Sequence, residues 1–357
     1  MKTNNLKINY KNIIMKNLTT KLVIVFTILL TISCQKQQEE IIHKNDTTLN
    51  EFSSLTYDSR INNLTFPINN GLLVFNDLNE LKNTVSILEE EVNTYDDTFL
   101  RTYNSLSSEE LDNLEEKIGF DEYTPLKTFI TNNNFNALFL KQAKAEEEWL
   151  NNEELDITTD PDNHFVEDKA LQAILNTQSE VMVGKAIYKM FDFGYIIIED
   201  GSFNTLESIR RNPQNLAYKN VTIVGDNYVL KGAGCNSGKG KSNFKYNGSY
   251  RIKWKISHRT PITGRRVKAT TINYKKKAKR WKKARAYTKC MAYGFISDLP
   301  GDCSKQLNFN PDNVYSDWNN KKSWYHKVWV ETKTKSGWVK GYHYGIAGTS
   351  YTSTLTW

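Results

Sequence analysis

The side chains in this chain that could carry covalent or acid–base chemistry are few: Cys235, Cys290 and Cys303, the late histidines His326 and His343, and Asp317 as an acid to orient either histidine. That set would suit a hydrolase with a cysteine or histidine at its centre. A nucleophilic cysteine needs a base beside it, and no local signature accompanies Cys235. If Ser336-Gly337 is a hairpin turn, His326 lies four residues out of register with His343. At about 3.3 Å per residue that is roughly 13 Å, too far for one metal ion. Asp160, Asp162, Asn163, Glu167 and Asp168 are rich in oxygen ligands, but the glycine and spacing of a calcium loop are missing, so they read as a solvated acidic loop. Gly234 to Ser242 resembles a phosphate loop only in composition, because Cys235 stands where the first glycine is needed. No G-x-S-x-G, H-E-x-x-H or carboxylate pair is evident. Neither a metal nor a cofactor is expected, and a binding protein is favoured over the hydrolase.

The strongest signal is charge. From Cys34 to Leu230 there are 15 basic and 35 acidic residues, net −20; from Lys231 to Trp357 there are 27 and 5, net +22. Between Lys231 and Cys290 stand 20 Lys or Arg and no Asp or Glu, a bias beyond the usual mixed surface. Arg251, Lys253 and Lys255 fall in its first half, and Arg265, Arg266, Lys268, Lys275, Lys276, Lys277, Lys279, Arg280, Lys283 and Arg285 in its second. Tyr274, Trp281 and Tyr287 are interleaved. Cations and rings on one sheet face suit a polyanion, an anionic glycan or nucleic acid, or the phosphates of a membrane leaflet. The alternative is that this face docks on the acidic half of the same chain.

Those residues must be positioned by two unlike halves. Gly71-Leu72-Leu73-Val74-Phe75 reads as a strand, Leu78, Leu81, Val85, Leu88 and Val92 recur at helical spacing, and Ser107 with Glu110 forms a capping box ahead of Leu111 and Leu114. Phe135–Leu150 reads as a further helix, and 181–189 with 195–198 as a small hairpin. After 231–242, which carries four glycines, the period becomes two: Tyr250, Ile252, Trp254 and Ile256 alternate with Arg251, Lys253, Lys255 and Ser257, placing cations opposite a core face. Strand patterns recur at 283–292, 324–331, 338–344 and 351–357, the second and third of these joined as a hairpin. The expected fold class is α+β: a mainly helical acidic domain over 66–230, a Gly-rich linker over 231–242, and a basic antiparallel β-sandwich or open barrel over 243–357.

At the start, Lys11, Lys16 and Lys21 precede the apolar run Leu22–Leu30, and Thr31-Ile32-Ser33-Cys34 follows. The run is too short to cross the ~30 Å hydrocarbon core and reads as a signal peptide over 1–33. Met15 is an alternative start. The segment resembles the lipobox of bacterial lipoproteins, with Thr31 in place of the usual leucine; the resemblance implies palmitate-type lipidation of Cys34 and a polar tether over 34–65. Gln35-Lys36-Gln37-Gln38-Glu39-Glu40 is similar to the acidic signal that carries Bacteroidota lipoproteins to the outer face of the outer membrane. In that oxidising setting, Cys290 and Cys303 enclose 12 residues and are expected to pair, a loop closure contributing about 3 kcal/mol.

The hairpin near Val183 to Lys189, the Tyr250-Arg251-Ile252-Lys253 strand and the Lys-rich strand ending near Trp281 resemble uncharacterised Bacteroidota lipoproteins over about residues 60 to 300. That resemblance implies no activity. The expected partners are the membrane through the lipid anchor; an anionic polysaccharide, lipopolysaccharide or extracellular nucleic acid on the basic face; and an envelope protein.

Overall fold

The computed structural model describes residues 60–225, 240–297, 320–329 and 336–356. The described part opens with a 3-10 turn (Arg60–Asn63), followed by β1 (Ile68–Asn69) and β2 (Leu72–Phe75), and Asp77 then starts the long helix α1 (Leu78–Thr102), its Oδ1 accepting from the backbone N of Asn79 and Glu80 at 2.7 and 2.9 Å. In α2 (Ser108–Ile118) the capping box is present, with Glu110 Oε2 accepting from Ser107 N at 2.8 Å, and Gly119 at φ +68° ends the helix. Pro125 sits in the first turn of α3 (Thr124–Asn133), and α4 (Leu138–Leu150) and the short α5 (Lys169–Ile174) complete the layer. Leu81, Val85, Leu88, Leu126, Phe129 and Leu171 pack together at its centre.

The hairpin foreseen at 181–198 belongs to a larger sheet. β3 (Glu180–Val183), β4 (Ala186–Phe191), β5 (Gly194–Ile198) and β6 (Val221–Gly225) extend β1 and β2 into six strands in sequence order, with β2 and β3 parallel and the rest antiparallel. Helix α6 (Phe203–Arg211) covers one side through Leu206 and Ile209. The acidic half is therefore mainly helical, as expected, with a six-stranded mixed sheet in place of the single hairpin.

The C-terminal part is β-rich. β7 (Gly240–Asn247), β8 (Tyr250–Arg259), β9 (Arg266–Lys277) and β10 (Arg280–Lys283) form an antiparallel sheet, and β12 (Ser323–Trp329) pairs with the first half of β9 while β10 pairs with its end. β11 (Lys289–Ser297), β13 (Ser336–Tyr344) and β14 (Ser350–Thr356) make a second sheet. The expected hairpin between the strands at 324–331 and 338–344 is not the pairing found: β12 joins β9, and β13 lies between β11 and β14. The two sheets share a core of Trp254, Ile256, Val267, Cys290, Val339 and Leu355.

Asp58 to Trp357 form one compact unit. Of the Gly-rich stretch, 231–239 lie outside the described residues, and Gly240, Lys241 and Ser242 open β7. The sequence placed the cations of β8 on a solvent face, but the middle of that strand is buried on both sides. Its apolar side meets the second sheet, and its cationic side meets the acidic loop between α4 and α5, where Lys253 faces Asp160 and Lys255 faces Glu167.

Candidate functional site

Residues directly opposite in an antiparallel ladder share a face. Ser257, Lys268 and Lys327 form one row across β8, β9 and β12; Lys255, Thr270 and Tyr325 form the next; Lys253, Ile272 and Ser323 a third. Against these rows α1 presents Glu89, Val92, Asn93 and Asp96, one helical stripe by spacing. Glu122, Tyr123 and Leu126 from the start of α3, and Asp162, Glu167 and Asp168 from the acidic loop, close the rest. Between the layers lies a cavity of about 130 Å³.

The contact between the layers joins an apolar cluster of Trp149, Leu155, Phe244, Ile272, Tyr274 and Trp281 to a set of ion pairs. Lys253 Nζ lies 2.5 Å from Asp160 Oδ2, Lys255 Nζ 3.1 Å from Glu167 Oε1, Arg266 Nη1 2.8 Å from Asp168 Oδ2 and Lys283 Nζ 2.6 Å from Glu146 Oε1. Arg285 donates from Nε to Glu115 Oε1 and from Nη2 to Asp96 Oδ1, both at 2.6 Å. Farther out, Lys275 meets Glu109 at 2.9 Å, Lys277 meets Glu116 at 3.1 Å and Lys279 meets Glu153 at 3.4 Å. Trp281 is buried and donates Nε1–H to the Glu153 carbonyl at 3.0 Å, Lys276 reaches the same carbonyl at 3.4 Å, and the Arg251 guanidinium lies 3.9 Å from the Trp281 ring centre. Arg265 donates to Thr260 Oγ1 at 3.4 Å, and Arg280 is exposed.

The expected open basic face is thus largely an internal one. Lys253, Lys255, Arg266, Lys268 and Arg285 are buried, and the acidic half supplies the partners of most of them. The acidic loop is corrected likewise. Asp160 caps the 3-10 turn Pro161–Asn163, and Asp162 takes Lys169 at 2.8 Å, so lysines neutralise the carboxylates that sequence placed in solvent.

Proton affinities follow from this packing. Burial would raise the Asp168 carboxyl, but the Arg266 guanidinium, a hydrogen bond with Glu89 and the Lys327 ammonium hold it below the usual carboxylate range. Burial and the Asp168 charge push Glu89 up to about 7, even though Lys327 Nζ donates to both its oxygens at 2.7 and 2.9 Å. Burial also raises Glu122. Lys268 is lowered to about 8 by burial and the adjacent Arg266.

The hydrolase set is not assembled among the described residues. Cys34, Cys235, Cys303 and Asp317 lie outside them. His326 Nδ1 accepts from Ala292 N at 3.0 Å, while His343 lies 3.0 Å from Thr271 Oγ1 and 2.9 Å from Ser353 Oγ. His343 is next to a cysteine, but it is Cys290, a free thiol among the described residues with Sγ 3.7 Å from Nδ1, and its expected pairing with Cys303 lies outside them. Both are buried in the core between the sheets. Burial pushes the Cys290 thiol up to about 12 and His343 down to about 3, so the pair is neutral and closed to a substrate. Among the described residues no group of three or more His, Cys, Asp or Glu could hold a metal ion, and no helix is long and apolar enough to cross a membrane.

Sequence reasoning missed Glu89, Asp96 and Glu122, and the lysines Lys321 and Lys327. The available signal was on α1, where Glu91 and Asp96 are buried on the same helix as Leu81, Val85 and Leu88. An acid in an apolar stripe must meet a cation or lose its charge.

No family model matches the chain, and no curated protein matches it. Among solved structures it is similar to a DUF4848 family protein from Bacteroides thetaiotaomicron, at 12% identity and TM-score 0.19, over 82% of this chain and 99% of that one. At that TM-score the likeness carries neither a family, a fold nor an activity across.

Proposed function

We propose that the protein is a lipid-anchored outer-membrane protein, displayed toward the cell exterior, whose folded body binds a small polar ligand without chemical conversion. The address rests on the signal segment ending at Cys34. The binding reading is carried by one observation: the 130 Å³ cavity between α1 and the β8–β9–β12 rows, lined by charged side chains from both layers and by the apolar Val92, Leu126, Ile272 and Trp324. Cavities that recognise small molecules combine apolar walls with a few placed polar groups.

The test is ligand-induced stabilisation of the purified protein across a panel of small polar molecules of up to about six heavy atoms, a size scaled from cavities that admit benzene. Val92→Phe fills the cavity. A ligand that raises Tm in the native protein but not in this variant supports the reading, and a panel that stabilises neither overturns it. The anchor is tested separately, because Cys34→Ser should release the protein from the membrane fraction.

A polyanion reading survives at the tip joining β9 and β10, where Lys277, Lys279 and Arg280 are exposed. Heparin and nucleic-acid polymers titrated across a salt series give a steep slope if that tip binds them, and a flat one if the pairing with Glu116 and Glu153 occupies it.

A further inference from the structure

Six lysines line the cavity, and five of them have a carboxylate close by. Lys253, Lys255 and Lys283 pair with Asp160, Glu167 and Glu146 at 2.5, 3.1 and 2.6 Å. Lys169 and Lys321 pair with Asp162 and Asp96 at 2.8 and 2.5 Å.

Lys268 is the exception. It is 9% exposed and lines the cavity, and among the described residues it makes no ion pair and donates no hydrogen bond. Its ammonium lies 4.4 Å from the centre of the Tyr325 ring. The nearest charges are of both signs, Arg266 and Lys327 against Glu167 and Asp168, so no single carboxylate claims it. A buried ammonium without a hydrogen-bond acceptor is costly unless a ligand supplies one.

We propose that the cavity binds a small organic monocarboxylate with a short aliphatic body, about the size of propionate, whose carboxylate takes its hydrogen bonds from Lys268. Since a cavity of about 150 Å³ accommodates benzene, about 130 Å³ leaves room for roughly five heavy atoms. Val92, Leu126, Ile272 and Trp324 give the apolar body a wall to cover. A second negative charge would have no partner, because the other five lysines are already neutralised and Glu122 and Asp168 line the same space. A strongly hydrated inorganic anion would shed its water against those apolar walls with little return. This inference rests on the cavity being a ligand site.

Calorimetric titration of the purified full-length protein with propionate, propionamide and inorganic phosphate separates the two readings. Propionate should bind one per chain, at least ten-fold more tightly than propionamide, and phosphate should not displace it. Lys268→Met should abolish the preference for propionate and Lys268→Arg should retain it. If Lys268→Met does not fold, the comparison of propionate with propionamide on the native protein still decides. Propionamide binding as tightly as propionate overturns the carboxylate assignment and leaves the cavity a ligand site. Displacement by phosphate overturns it in favour of an inorganic-anion site. Propionate affinity unchanged in Lys268→Met removes Lys268 from the site. If none of the three binds, the carboxylate assignment falls, and the ligand panel above decides whether the cavity is a site at all.

Discussion

Asp168 and Arg266 are 98 residues apart in the chain, and one carboxylate oxygen joins them: Asp168 Oδ2 lies 2.8 Å from Arg266 Nη1. The other oxygen, Oδ1, accepts from the backbone N of Ala170 and Leu171 at 3.1 and 3.4 Å and so caps α5. A single buried residue both starts a helix of the acidic layer and fixes the cationic sheet to it.

Asp168→Asn should separate these roles. The amide oxygen can still cap α5, but Arg266, 1% exposed, loses its partner. Breaking a buried pair from one side costs about 3–5 kcal/mol, which urea unfolding should register. Asp168→Ala should cost about 1 kcal/mol more through the lost cap. Adding Arg266→Met to Asp168→Asn should recover most of the loss. A loss below about 1 kcal/mol in the single Asn variant would show that Asp168 and Arg266 do not hold the layers together.

Much of this was legible as charge and little of it as contact. The Ser107–Glu110 capping box, the apolar stripe of α1 and the alternation along β8 are local patterns, and the structure contains all three. Strand pairing is not local. The short spacing between the strands near 324 and 338 favoured a hairpin, yet β12 completes the row of Ser257 and Lys268 and β13 closes the second sheet. The cationic face was found but placed in water, because alternation shows that one face differs from the other without showing what covers it. Lys268 could not be told from its neighbours in sequence, since the difference is only which lysine lacks a carboxylate.

Depth should separate two sets of cations that sequence lists together. Arg285 is 2% exposed and holds Asp96 and Glu115, so Arg285→Met should lower stability by about 3–5 kcal/mol. Neutralising Lys275, Lys276, Lys277, Lys279 and Arg280 together should leave Tm nearly unchanged, because their partners, such as Glu109 and Glu116, are in solvent and screened by salt. Thermal unfolding of the two variants side by side checks the contrast. Equal losses would mean that the outer pairs carry as much of the docking as the buried ones.

Cys290 is buried against His343 and Thr271, and its thiol is held near 12, so it should resist alkylation by iodoacetamide in the native protein at pH 8 and react on unfolding. Peptide mass spectrometry resolves this one site from the other cysteines. Fast native labelling at Cys290 would revive a reactive cysteine paired with His343.

His343 stays neutral in the fold down to about pH 3, because burial opposes its charge, whereas an unfolded histidine takes its proton near 6.5. Its contribution to stability is complete above pH 6.5 and falls as pH drops from there toward 3. His343→Gln keeps polar atoms facing Thr271 and Ser353 without the titration. The loss of Tm between pH 7 and pH 5 should therefore be smaller in the variant than in the native protein, and equal losses would place the acid sensitivity elsewhere.

Glu89 has the opposite sign of effect. Its folded affinity for a proton is raised to about 7 by burial and by Asp168, above the 4.5 of an ordinary glutamate. The stability it contributes is full below pH 4.5 and is lost as pH rises through 7, where ionisation sets a second negative charge beside Asp168. Lys327, bonded to both Glu89 oxygens, offsets part of that repulsion but also approaches Asp168 Oδ2 at 3.8 Å, so one ammonium serves two carboxylates. Glu89→Gln cannot ionise and keeps an N–H to donate to Asp168. The Tm of the variant relative to the native protein should therefore climb from pH 4.5 to pH 8. A difference that stays flat across this range would mean that Glu89 is already ionised at pH 5, with Lys327 neutralising it fully.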